Sequence, residues 1–181
     1  MLPPGHFAGG YIAALGLLTW SGIQIPDEQK PVILLVGSLI GFAPDLDMFR
    51  AFRNSKNFIV TPGENHRAFS THAPFLWLIA GIVLAIFAPN PFWKMTGLLV
   101  WVAAWSHFFL DSIQYGIMWF WPFSKRLYSF RDTCLEFTIY DTTFIGYWKT
   151  FLGEYVRLFR ISFLCECVLT GSAIVLFIWR M

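Results

Sequence analysis

A chain of 181 residues suits one domain, and with 13% charged residues it carries half the charge of a soluble domain, for which about 25% is usual. Together with a mean hydropathy of +0.56, this points to a membrane protein. A formal charge of +2 and the lack of any basic run leave no phosphate-tracking stripe, so no nucleic-acid partner is expected. Cys134, Cys165 and Cys167 are odd in number and show no metal-type spacing, and Cys165 and Cys167, in an apolar segment, read as small hydrophobes.

Apolar segments fall at 7–23, 31–44, 73–89, 95–113 and 161–179. None alternates with the period of a barrel strand, and a backbone in lipid must satisfy its own hydrogen bonds, so helix is expected throughout. The expected class is all-α: a polytopic membrane bundle of about four to five embedded helices plus an amphipathic helix. It reads as a single domain, with a core over 5–125 and an amphipathic and final transmembrane helix over 134–181.

The first segment follows Pro3-Pro4. No cationic stretch precedes it, since the first basic residue is Lys30, so it is expected to be retained rather than cleaved. Segment 31–44, bracketed by Pro31 and Pro44, is shorter than the roughly 17 residues a span needs. A re-entrant, tilted or hairpin arrangement suits it better. Ser70 or Thr71 can cap the third helix, with Pro74 in its first turn. Ala88-Pro89-Asn90-Pro91 makes a tight connection to the fourth helix, and Trp121-Pro122-Phe123-Ser124 stops that helix and sets its exit. Phe137, Tyr140, Phe144, Tyr147, Phe151, Tyr155 and Leu158 recur at helical steps, as in an amphipathic helix lying at headgroup depth or packed on the bundle. The last segment is long enough to span despite Glu166.

If all five segments cross, ten of the 13 basic residues share one side with the N-terminus, which the positive-inside rule assigns to the cytoplasm. That side also gathers the chemistry. His6 opens the first helix there, Asp45 and Asp47 leave the second, and His66 and His72 precede the third. His107 and Asp111 lie toward the end of the fourth, four residues apart and so on one helical face. Taken singly, His6 could be an interfacial histidine, Asp45-Leu46-Asp47 a capped turn, and His107 and Asp111 a hydrogen-bonded pair. Together, neutral imidazoles and carboxylates at one end of one bundle suit a divalent metal: zinc most readily, with manganese or iron as alternatives. A carboxylate between two sites can bridge two ions, and paired ions clamp a displacement at phosphorus.

His6, Pro44-Asp45-Leu46-Asp47, His66-Arg67 followed by Thr71-His72, His107-x-x-x-Asp111 and Pro122-Phe123-Ser124, in this order, resemble the LexA-binding, inner-membrane-associated metal-dependent hydrolases. That family is in turn similar to the all-helical zinc-dependent phospholipases C. The resemblance implies a bacterial inner-membrane hydrolase of a phosphoester or phospholipid. Asp45, one of His66 or His72, His107 and Asp111 would hold one ion, and His6 would join Asp111 at a second. No histidine follows Asp111 to complete a third site, so one or two ions are expected. Asp47 is the expected group for orienting or deprotonating water. Arg67 is expected to receive the phosphate charge, and Asn65 and Thr71 to orient the imidazoles. Two other readings stand beside hydrolysis: a membrane metal carrier or sensor, and an interaction protein with a structural metal.

Overall fold

Prolines in first turns mark where most of the helices begin. α1 (Pro3–Trp20) opens on Pro3-Pro4, α2 (Lys30–Phe42) carries Pro31, and α3 (Pro74–Ile86) and α4 (Pro91–Asp111) each start on proline. At that position proline gives up no intrahelical bond, and its ring presets φ. Asn90 also caps α4, its side-chain oxygen accepting the Trp93 N–H at 3.1 Å. α5 (Phe144–Leu158) and α6 (Arg160–Arg180) complete the order. The computed structural model describes residues 2–47, 69–113, 116–130, 143–158 and 160–180. The described residues form α-helices, short 3-10 turns and one isolated bridge between Ile117 and Tyr128, with no strand among them.

Two antiparallel hairpins are built on backbone contact. Where α1 crosses α2, a Cβ on Gly10 would stand 2.2 Å from the Gly37 carbonyl oxygen, and one on Gly41 would stand 2.5 Å from the His6 carbonyl oxygen. Only glycine permits this approach. α3 and α4 repeat the device, since a Cβ on Gly81 would lie 2.7 Å from the Gly97 carbonyl oxygen. The hairpins meet along α1, α2 and α4, around Ala14, Ile33, Met95 and Leu99 at one level and Ala104, Phe108 and Ile117 at another. α6 lies alongside α1 and runs parallel to it, with Glu166 beside Gly5, Leu169 beside Gly9 and Phe177 against Tyr11. Thus α1, α3 and α6 point one way, and α2 and α4 the other.

The all-helical class stands. α6 is the one helix among the described residues that is long and apolar enough to cross a membrane. α3 is apolar but has 13 residues, ending at Ile86 where the apolar run continued to 89. Pro89 accounts for this, because the residue before a proline is disfavoured in the helical region. α1 likewise stops at Trp20, ahead of Gly22 at φ 70°. α2 passes directly into a 3-10 turn, Ala43–Leu46, that carries Pro44 and Asp45. The amphipathic helix is present over 144–158, while 134–142 lies outside the described residues.

Candidate metal centre

Each candidate ligand sits at an element's end. His6 is in the first turn of α1, Asp45 in the 3-10 turn after α2, and His72 in the 3-10 turn Ser70–His72 before α3. His107 and Asp111 occupy the last two turns of α4. Because the helices alternate in direction, these ends share one side. All five side chains are buried: the three histidines and Asp111 are at most 1% exposed and Asp45 is 4% exposed.

Within this group, ligand atoms of His6, Asp45, His107 and Asp111 all lie within 4.8 Å of one another. His6 Nε2 is 3.4 Å from Asp111 Oδ1 and 3.6 Å from Asp45 Oδ2. His107 Nε2 is 3.6 Å from Asp45 Oδ1 and 3.8 Å from Asp111 Oδ2. These separations exceed the 2.7–3.2 Å of an N–H···O bond. They approach the edge of a coordination tetrahedron, which is about 3.3–3.5 Å for metal–ligand bonds near 2.0–2.1 Å. Neither nitrogen of His6 has a hydrogen-bond partner, nor has Nε2 of His107. Leaving such buried groups unsatisfied costs about 1–3 kcal/mol each. A divalent cation would satisfy them and would offset the charge of the two buried carboxylates. The donor set therefore fits a metal ion.

The rings are held from behind. His107 Nδ1 donates to the Gly41 carbonyl at 3.0 Å, which turns Nε2, as the acceptor, toward the carboxylates. His6 and His107 stack, with ring centroids 3.8 Å apart. His72 Nδ1 donates to Asp47 Oδ2 at 2.8 Å, and the Thr71 hydroxyl donates to the same oxygen. His72 Nε2 faces Asp45 Oδ1 at 3.5 Å. Burial disfavours the charged form of His72, but Asp45 facing its Nε2, the hydrogen bond to Asp47 and the charges of Asp47 and Asp111 outweigh it and raise its pKa above the ordinary value. Each of Asp45 and Asp111 directs one oxygen toward His6 and the other toward His107, the disposition of carboxylates able to bridge two ions.

Of the residues expected at the site, His6, Asp45, His72, His107 and Asp111 are brought together, and Asp47 stands behind His72. His66, Arg67 and Asn65 lie outside the described residues. Thr71 acts on its imidazole through Asp47. The role of the Gly41 carbonyl was not foreseen. Gly37-x-x-x-Gly41 in an apolar helix was the available signal, because that spacing marks close helix approach. Surface grooves run along α3 and α4 near Phe87 and Trp93, and along α1 and α4 near Trp101 and Phe109. They contain none of the candidate ligands.

A sequence model described as YdjM inner membrane protein matches residues 1–180. The chain belongs to the YdjM inner membrane protein family. No curated protein and no solved structure matches it. Membership accords with the apolar α6 and with the outward-facing Leu35, Leu39, Ile82 and Val175, which water would not favour.

Proposed function

We propose that this YdjM-family protein is a polytopic inner-membrane hydrolase with a divalent metal centre at the cytoplasmic end of its bundle, acting on a phosphoester, with a phospholipid headgroup as substrate. The observation that carries the reading is the convergence of His6, Asp45, His107 and Asp111, buried at separations too long for hydrogen bonds and suited to coordination. Polytopic embedding is supported by the alternating helix directions. It is also supported by exposed Trp20, Phe87, Trp93 and Trp179, which all fall at the opposite end of the bundle, as an interfacial aromatic belt would.

In this reading His6, Asp45, His107 and Asp111 hold one ion. If two were bound, Asp45 and Asp111 would serve both and His72 would join the residues that hold them. Zinc is the expected metal, with manganese or iron as alternatives. Such an ion, when bound, lowers the pKa of a coordinated water to about 7 and so supplies hydroxide at neutral pH. Asp47 fixes His72, and in this reading its carboxylate takes the proton from water. Arg67 pairs with the phosphate oxygens. The likeness to phospholipases C rests on the order of motifs alone.

The test is metal analysis of the purified protein together with hydrolysis of a chromogenic phosphodiester and of phospholipid vesicles. Stoichiometric metal and chelator-sensitive hydrolysis are expected. Absence of metal in the wild type sinks the proposal. Four protein ligands with at most 4% exposure also suit a closed, structural ion. A cobalt-substituted protein whose visible spectrum is unchanged by azide or phosphate would favour that second reading.

A further inference from the structure

Glu166 is a carboxylate inside α6, the one helix among the described residues long and apolar enough to cross a membrane, and it is 5% exposed. An ionisable group there is expensive unless it is partnered and has a task. Its partners tie three elements together. Oε1 accepts the Gly5 N–H at 3.2 Å, a donor shared with the Leu2 carbonyl, and Oε2 accepts the hydroxyl of buried Tyr155 from α5 at 3.0 Å. Gly5 is in the first turn of α1, where N–H groups lack intrahelical acceptors and the helix dipole favours a negative charge. Fit is close as well, since a Cβ on Gly5 would stand 3.1 Å from Glu166 Cγ.

The next residue is His6. Its ring differs from the other two imidazoles of the cluster in how it is held. His107 is oriented by the Gly41 carbonyl and His72 by Asp47, whereas neither nitrogen of His6 makes a hydrogen bond. The aim of the His6 ring at Asp45 and Asp111 therefore depends on its backbone and its stacking. Two contacts fix that backbone: Gly41 against the His6 carbonyl on one side, and Glu166 on the preceding peptide N–H on the other.

We infer that Glu166 is a positioning residue for the metal centre: it clamps the first turn of α1 through Gly5, braced by Tyr155, and so seats His6 among the ligands. This inference rests on the metal-centre reading for its purpose, and on the Gly5, Glu166 and Tyr155 contacts for its geometry.

The experiment uses the full chain in detergent, with Glu166→Leu, Glu166→Gln and Tyr155→Phe. In metal-free protein, diethyl pyrocarbonate labelling of each histidine is followed by peptide mass spectrometry. Glu166→Leu should raise the labelling of His6 by roughly fivefold or more while His72 and His107 stay protected. Glu166→Gln, whose amide oxygen can still accept from Gly5, should remain close to wild type. In a parallel titration, Glu166→Leu should bind Co(II) about tenfold more weakly, with an altered visible spectrum. Unchanged protection of His6 in Glu166→Leu overturns the inference. So does a joint rise at His6, His72 and His107, which marks general loosening. Should Glu166→Leu fail to fold, Tyr155→Phe is scored by the same selective criterion. A wild type that binds no Co(II) sinks the metal centre, while the labelling still decides whether Glu166 seats His6.

Discussion

Gly41→Ala probes how the α1–α2 crossing makes the site. An added Cβ would fall 2.5 Å from the His6 carbonyl oxygen, 2.8 Å from Gly10 Cα and 2.9 Å from Gly10 N, all backbone atoms. Restoring ordinary contact requires α1 to withdraw by about 1 Å, since carbon contacts are optimal near 3.5–4.0 Å. His6 moves with it, and the Gly41 carbonyl that orients His107 is displaced as well. Coordination distances tolerate about 0.2 Å, so the expected loss lies near the top of the roughly 10- to 100-fold range seen when supporting contacts are removed. Overpacking should also cost about 1–3 kcal/mol of stability. Chelator competition gives the affinity, and thermal melting followed by circular dichroism gives the stability. Gly16→Ala, where the nearest atoms belong to the Trp20 ring at 3.6 Å, is the control and should bind metal as wild type does. If Gly41→Ala keeps wild-type affinity, the idea that this glycine contact sets the ligand distances is wrong.

The other expectations are simpler. His107→Ala, Asp111→Ala and Asp45→Ala should each abolish stoichiometric metal in elemental analysis; retention of wild-type content by any of them removes that residue from the ligand set. Asp47→Ala leaves His72 Nδ1 and the Thr71 hydroxyl without their shared acceptor, so affinity should fall about 10- to 100-fold while binding at saturating metal persists. The raised pKa of His72 means that its proton competes with a cation at higher pH than an ordinary imidazole's would. Affinity should therefore drop as pH is lowered from 8 to 6, with proton release on binding measured by calorimetry in two buffers; a flat profile contradicts the role given to His72.

Much of this architecture was legible because its signals are local. Prolines announce first turns, and the i,i+4 pair His107 and Asp111 shows its common face without any tertiary information. Element ends were read less well where a polar residue broke an apolar window. α4 begins at Pro91, capped by Asn90, although Lys94 made the apolar run appear to start at 95. The contacts that hold the site were the least legible. Glu166 and Gly5 are 161 residues apart and His107 and Gly41 are 66 apart, and one carboxylate or one backbone carbonyl leaves no periodic trace in a sequence.

The site also separates two levels of cause. Convergence of the ligands follows from topology: with successive helices reversing direction, the start of α1, the end of α2, the approach to α3 and the end of α4 must share one side. Chain order alone then brings His6, Asp45, His72, His107 and Asp111 into one neighbourhood. Topology does not bring them within coordination distance, because packed helices ordinarily stand 8–10 Å apart and their side chains reach variably. That finer step depends on glycine. With Gly10, Gly37 and Gly41 in backbone contact, the first turn of α1 meets the end of α2 with no side chain between them. The His6 ring then stacks on His107, and Asp45 reaches both. On this view an alanine at the crossing should damage metal binding more than it damages the fold, since the topology survives a 1 Å displacement and a coordination shell does not.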